Sequence, residues 1–178
     1  DLTLRVQVFA TTEPHLLIRI SAPIDPSTEP VRLLAFQHQR SVPHVKHTGT
    51  FDLIYYGRQA RLQGYDDAVF HTAGGEISEA SIWNICFARG SEIVFPAAPV
   101  LSGIRQQLLQ RGLHGHTTES VVLARLSTYD AAYLTNSIDP ALPVASITVG
   151  DETTTYEPHG ESAEVIARAY ATWPAQAI

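Results

Sequence analysis

The chain has 178 residues and a mass of 19.5 kDa, the size of one domain or slightly more. Twelve basic residues against eighteen acidic ones give a net charge of −6, which argues against binding to nucleic acid or to an anionic membrane, because both require clustered positive charge. No apolar run reaches the ~18–20 residues of a membrane-spanning helix, and a single cysteine, Cys86, excludes an internal disulfide and favours a reducing, cytoplasmic location.

The first third of the chain has strand-like patterns followed by one helical pattern. Residues 2–10 alternate between apolar and polar side chains, which indicates a half-buried strand. Residues 16–20 and 31–36 are further strand candidates, separated by a stretch rich in proline and serine. Apolar residues at helical spacing then predict a helix over 48–62, with Gly64 as its stop.

The remaining two thirds mix strands and helices. Helices are predicted at 102–113 and 161–172, and Ser102 is a suitable N-cap for the first of them. Turns are predicted at 73–75 and 89–91. Strands are predicted at 68–72, 82–88, 92–95, 121–125, 132–135 and 144–149. This order predicts an α+β domain preceded by the end of a smaller unit.

Lys46 is unusual because eleven of the twelve basic residues are arginine and it is the only lysine. Arginine cannot replace lysine where a primary amine must react, since a guanidinium does not deprotonate in proteins. The composition therefore makes Lys46 a candidate for a chemical role. On composition alone, however, a surface lysine without a function is the favoured interpretation.

Four separated segments carry the polar residues that could form one site. They read P-H-V-K-H-T at 43–48, E-I-S-E-A-S-I-W-N at 76–84, L-S-G-I at 101–104 and T-N-S-I-D-P-A-L-P-V at 135–144. Their order, with Lys46 placed 33 residues before Glu79, resembles the fold-type IV pyridoxal-phosphate enzymes, which comprise class IV aminotransferases and aminodeoxychorismate lyase. The resemblance covers about residues 40–150 and implies an α+β fold like that of D-amino-acid aminotransferase.

The resemblance also implies a domain organisation. Residues 1–38 correspond to strands from the end of a small N-terminal domain. On this comparison, the chain lacks most of that domain. Residues 39–45 correspond to the interdomain connector, and residues 46–178 to the large cofactor-binding domain. Relatives form a homodimer in which loops of one subunit cover the other's pocket, so we expect a homodimer here.

Pyridoxal 5′-phosphate requires an amine, a carboxylate that keeps its ring nitrogen protonated, and a cradle for its phosphate. The resemblance implies that Lys46 is the catalytic residue and forms the aldimine, and that Glu79 meets the ring nitrogen. Backbone amides at a helix start or in a loop suit an anion, so the 102–104 and 136–137 segments are candidates for the phosphate or a substrate carboxylate. The further cofactor-binding residues are Leu101, Gly103, Ile104, Arg105, Asn136 and Ser137.

The activity implied is the transfer of an amino group between an amino acid and a 2-oxo acid. The alternative is 4-amino-4-deoxychorismate lyase, which would use the same two residues but release pyruvate. Phe51, where branched-chain enzymes tend to have tyrosine, looks more like the lyase and the D-amino-acid aminotransferases, and the loop at 135–144 looks like the lyase. A second alternative is a non-catalytic domain that retains the fold.

Other reactive side chains suggest no further chemistry. Eight histidines are present, but neither the 44/47 pair nor the 114/116 pair has the spacing of a zinc site, so we expect no metal. Cys86 alternates with apolar residues and is expected in the core. Ser81 lacks the surroundings of a hydrolase nucleophile, and Asp66 and Asp67 are expected in a charged loop.

Overall fold

The computed structural model describes residues 2–157 and 160–173, which contain eleven strands, three α-helices and a short 3₁₀ helix. The strands are β1 (Thr3–Ala10), β2 (Pro14–Ser21), β3 (Val31–Gln37), β4 (Asp67–His71), β5 (Ile77–Ala80), β6 (Asn84–Arg89), β7 (Glu92–Pro96), β8 (Thr117–Glu119), β9 (Ala131–Thr135), β10 (Leu142–Val149) and β11 (Glu152–Thr155). The helices are α1 (Phe51–Leu62), α2 (Ile104–Gly112) and α3 (Glu161–Ala171), and the 3₁₀ helix is Leu123–Thr128.

Strands β1 and β2 form an exposed antiparallel hairpin that stands apart from the main sheet. Residues directly opposite each other share a face, so the period-2 pattern of the sequence gives the hairpin one polar and one apolar face. Arg5 and Arg19 pair on the polar face. The apolar face carries the pairs Leu4–Ile20, Val6–Ile18 and Val8–Leu16.

The other nine strands form one sheet in the order β11-β10-β3-β4-β5-β6-β7-β8, and β9 pairs with both β10 and β6. The β9 pairings close six strands, β10, β3, β4, β5, β6 and β9, into a ring. Strand β3 runs parallel to β4 and to β10, whereas most other neighbours are antiparallel. Closure of the ring protects the backbone groups of its strands. The predicted α+β class is confirmed.

Side chains of the ring alternate between its interior and its outer face, because successive residues of a strand point to opposite sides. Leu33 and Ile85 belong to the interior core, whereas their neighbours Leu34 and Cys86 point outwards. The outward residues of β3 and β4 pack beneath α1, and those of β6, β7 and β9 pack beneath α2 and α3. Helix α1 and the α2–α3 pair are therefore held on the outside of the ring.

Three sequence-based expectations differ from the structure. Residues 121–125 do not form a strand: Leu123–Thr128 is a 3₁₀ helix, and the strand that pairs with β7 is Thr117–Glu119. Ser102 is not the N-cap of α2, because the helix begins one residue later with Gly103 as its cap. Asp67 does not lie in a charged loop: it starts β4 and is buried.

The proposed boundaries at 1–38, 39–45 and 46–178 remain a prediction. Strand β3, which they assign to the first unit, pairs with β4 and β10 inside the large sheet. The change from hairpin to sheet thus occurs in residues 22–30. Among the described helices, none has both the length and the apolar character needed to cross a membrane.

Candidate active site

A cavity of about 440 Å³ lies where the connection before α1, the end of β5, the start of α2 and the end of β9 meet. This volume is within the ~300–1,000 Å³ range of small-molecule sites. All eight residues singled out in the sequence line it, although they come from four separated segments. They are Lys46, Glu79, Leu101, Gly103, Ile104, Arg105, Asn136 and Ser137.

Lys46 lies in the connection between β3 and α1 and is exposed on the open side of the cavity. None of the ion pairs between described residues involves it. Its positive charge acts to lower the pKa of Glu79, which lines the same cavity. His44 and His47, which flank Lys46 in sequence, are not among the described residues that line the cavity. His47 accepts a hydrogen bond from the Gly49 amide through Nδ1 at 3.1 Å.

Glu79 forms a buried ion pair with Arg40, a residue that sequence reasoning missed. Arg40 Nε donates to Glu79 Oε1 at 2.7 Å, and the two side chains are only 10% and 7% exposed. Burial raises the pKa of Glu79, and the charges of Arg40 and Lys46 together with hydrogen bonds act in the opposite direction. Arg40 thereby favours the ionised form of a largely buried carboxylate. A single arginine in a connector offers no sequence pattern that could have identified this role.

The turn before α2 is fixed by Asn84, the first residue of β6. Its Nδ2 donates to the Leu101 carbonyl at 2.6 Å, and its Oδ1 accepts from the Gly103 amide at 3.2 Å. A side chain at residue 103 would place Cβ 2.3 Å from Asn84 Oδ1, so only glycine fits. Asn84 therefore orders the turn that leads into α2. No side chain caps the start of α2.

Arg105 and the loop after β9 form the opposite wall. The Arg105 guanidinium donates to the Ser137 carbonyl at 3.1 Å and lies over the Tyr170 ring, 5.4 Å from its centroid. The Asn136 backbone amide donates to the Asp139 carbonyl at 2.9 Å. That amide is therefore not available to an anion, which corrects the expectation for Asn136; its side chain still borders the cavity.

Ser81 also lines the cavity, and behind it lies a buried acid. The Ser81 hydroxyl donates to Asp67 Oδ2 at 2.6 Å, and Asp67 is 2% exposed. Burial raises the pKa of Asp67. The hydrogen bond from Ser81 and the charge of Arg61 lower this pKa but only partly offset the effect of burial. An added side chain at Gly57 would come within 2.7 Å of Asp67 Oδ1, so glycine allows α1 to approach this pair.

The remaining reactive side chains lie elsewhere. Cys86 is buried beneath α2 and α3, as expected, and burial raises the pKa of its thiol to about 12. His114 and His116 border a second cavity of about 570 Å³ beside α3. Over residues 2–157 and 160–173, no three His, Cys, Asp or Glu side chains are grouped closely enough to hold a metal ion.

Comparison with known proteins assigns this architecture to a family. The family described as amino-transferase class IV matches residues 3–147, which is most of the chain. No curated protein sequence matches.

Similar solved structures share the fold at low sequence identity. A protein from Legionella pneumophila assigned as a 4-amino-4-deoxychorismate lyase has a TM-score of 0.78 at 20% identity, over 89% of this chain and 61% of its own. A Thermotoga maritima protein assigned as a branched-chain amino acid aminotransferase has a TM-score of 0.76 at 18% identity, over 96% and 65%. A hypothetical aminotransferase from Mycobacterium tuberculosis in its PLP-bound form has a TM-score of 0.75 at 19% identity, over 95% and 68%. The chain thus spans less than two thirds of the first two proteins, and these likenesses establish the predicted fold.

Proposed function

The chain belongs to the class IV aminotransferase family, and from this membership we propose that it is a pyridoxal-phosphate-dependent enzyme that transfers an amino group between an amino acid and a 2-oxo acid. The observation that carries the proposal is that Lys46 and Glu79, 33 residues apart in sequence, line one cavity. The cavity supplies the amine and the carboxylate that such chemistry requires.

The groups around the cavity fit the cofactor. The charged side chains that line it are Arg40, Lys46, Arg105 and Glu79, three cations and one carboxylate in a chain whose net charge is −6. Since Arg40 pairs with Glu79, two cations are left to face an anion such as a phosphate. The uncapped start of α2 adds the positive end of a helix dipole.

On this proposal Lys46 would hold the cofactor through Nζ and Glu79 would pair with its ring nitrogen. Arg105, together with the uncapped backbone amides at the start of α2, would hold its phosphate. The bound cofactor would supply an electron-withdrawing ring that accepts electron density from the substrate Cα. Lys46 Nζ, once released by the substrate and unprotonated, is the base that removes the proton from Cα. Arginine could not do this, because it does not deprotonate in proteins.

Glu79 contributes electrostatically. As a carboxylate it stabilises a proton on a neighbouring heterocyclic nitrogen, and this stabilisation is strongest where water is excluded. Arg40 is a positioning residue, since its Nε holds Oε1 of Glu79. The carboxylate is thereby fixed in the cavity that Lys46 also lines.

Borohydride reduction in the presence of pyridoxal phosphate tests this proposal. Reduction should attach the cofactor to residue 46, which is the only side-chain amine in the chain, so only the N-terminus can compete. Lys46→Arg keeps the charge and serves as the control; it should lose both the label at residue 46 and turnover. Label found only at the N-terminus, or a protein that stays colourless with the cofactor, would overturn the proposal and favour a non-catalytic domain.

Aminodeoxychorismate lyase is a second candidate, and the resemblance of the loop at 135–144 to the lyase favours it. Asn136 and Ser137 of this loop line the cavity. A half-reaction assay separates the two activities. A transferase passes its amino group to a 2-oxo acid, whereas the lyase releases pyruvate without needing an acceptor.

A further inference from the structure

The Asp139 carboxylate connects three parts of the chain: its own loop after β9, Trp83, and the segment around Ser27. It lies in the loop after β9 and is 7% exposed. Its Oδ2 accepts from Trp83 Nε1–H at 2.9 Å, and its Oδ1 accepts from the backbone N–H of Ser27 at 3.0 Å. The donors are 56 and 112 residues away in sequence. Both carboxylate oxygens thus connect distant segments.

Two of these parts belong to the cavity wall. Trp83 lines the cavity and packs against the core inside the strand ring. Asn136, which also lines the cavity, is fixed by Asp139: its backbone N–H donates to the Asp139 carbonyl, and its Oδ1 accepts the Asp139 N–H at 2.8 Å. Displacement of Asp139 would therefore move two walls of the cavity together.

The third part lies outside the cavity. Ser27 is in the middle of residues 22–30, an exposed segment that connects the β1–β2 hairpin to β3. Near its start, the Ile24 amide donates to Thr3 Oγ1 of β1 at 3.2 Å. Three prolines, at 23, 26 and 30, limit the segment's freedom. The position of the hairpin and that of Ser27 are thus linked.

We propose that Asp139 is a positioning residue that couples the 22–30 segment to the cavity, so that the placement of Trp83 and of the 135–139 loop depends on where that segment lies. A buried carboxylate that loses one of two donors retains its charge with less stabilisation, so its remaining contacts must readjust. Movement at Ser27 is transmitted to the cavity wall in this way. The consequence for ligand binding rests on the proposed function; the coupling itself does not.

The coupling can be measured without any ligand. Ser27→Pro removes the backbone N–H donor, and Ser27→Ala keeps it and is the matched control. The readout is hydrogen exchange of the Trp83 indole N–H by NMR, with its signal identified in a Trp173→Phe background that leaves one tryptophan. We expect severalfold faster exchange in Ser27→Pro and no change in Ser27→Ala. An unchanged rate in folded Ser27→Pro overturns the proposal.

The reciprocal variant keeps the test decisive if Ser27→Pro does not fold. Trp83→Phe removes only the indole donor, and the exchange of the Ser27 amide should then rise severalfold. An unchanged Ser27 rate in this variant overturns the coupling. A simple loss of stability would accelerate exchange across the sheet, so amides of β4 provide the internal reference.

Absorbance titration with pyridoxal 5′-phosphate tests the consequence for the site. Asp139→Asn and Ser27→Pro should each weaken binding about tenfold, equivalent to about 1.4 kcal/mol, whereas Ser27→Ala should bind like the parent. Equal affinity in all four proteins refutes the link to ligand binding. If the parent itself takes up no cofactor, the proposed function fails, and the exchange measurements still decide the coupling.

Discussion

Replacing Arg40 with methionine removes the guanidinium that pairs with Glu79 and retains most of the aliphatic side chain. The ion pair is short, with 2.7 Å between Nε and Oε1, and the two side chains are 10% and 7% exposed. The variant therefore leaves a buried carboxylate without its main partner. We expect a large loss of stability at neutral pH.

Two independent estimates give the size of this loss. Removing one partner of a buried ion pair costs about 3–5 kcal/mol in measured cases. Coulomb's law gives about 4 kcal/mol for unit charges ~4 Å apart at an effective dielectric constant of ~20. The Arg32–Asp66 pair is the matched control, since its side chains are 55% and 41% exposed. Arg32→Met should cost less than about 1 kcal/mol.

The loss should depend on pH. Burial already raises the pKa of Glu79, and removal of Arg40 raises it further. A carboxyl group with a higher pKa in the folded state binds its proton more tightly there, so stability falls as pH rises from the ordinary range of glutamate through the folded pKa. The cost of Arg40→Met should therefore be smallest in mildly acidic solution and greatest at neutral pH and above.

Urea unfolding of the parent and both variants at several pH values measures these costs. Arg40→Met combined with Glu79→Gln should recover most of the stability, because no buried charge is left without a partner. The reasoning is refuted if Arg40→Met costs no more than Arg32→Met. It is also refuted if the added Glu79→Gln substitution lowers stability further.

Three further predictions concern the chemistry, a second buried acid and the assembly. With cofactor saturated, Glu79→Gln should slow the chemical step roughly 10²–10³-fold. A single-turnover rate constant within a few-fold of the parent value would remove Glu79 from the mechanism. Burial raises the pKa of Asp67, so the parent loses stability as pH rises above the ordinary range of aspartate, and unfolding of Asp67→Asn should show a relative gain over that rise. Asp66→Asn should show a relative loss as pH rises from acid up to the ordinary range of aspartate, because hydrogen bonds from Arg32 outweigh partial burial and lower the pKa of Asp66. Light scattering at micromolar concentration should find a C2 homodimer, and a monomer would contradict this.

Local pattern was sufficient for much of the fold. The alternation in residues 2–10 and the helical spacing up to Leu62 correspond to β1 and α1. The expected half-burial of β1 is wrong, because the β1–β2 hairpin is exposed on both faces. The strand predicted at 121–125 is wrong. Val121 and Leu126 are both buried, but in a strand they would lie on opposite faces. The chain brings both into the core through a 3₁₀ helix.

The residues of the site could be predicted from the sequence only where they belong to a short, recognisable motif. Lys46, Glu79 and the residues of the 101–105 turn come from recognisable segments, and the fold brings them together. Arg40 pairs with Glu79, 39 residues away, and Asp139 pairs with Trp83, 56 residues away. These partners come together only when the strand ring forms. No local sequence signal distinguishes Arg40 and Asp139 from surface charges, so they became visible with the structure.

The cavity combines a charged interior with an apolar rim. Ile54, Ile82 and Ile104 border it from three different segments and are 62%, 62% and 69% exposed. Isoleucines that converge on one opening are unlike the scattered apolar residues of an ordinary surface and are typical of a contact site. The charges inside act most strongly when water is excluded. A second copy of the chain over this rim would bury the isoleucines and lower the dielectric around Lys46 and Glu79, so the predicted homodimer and the predicted chemistry depend on the same surface.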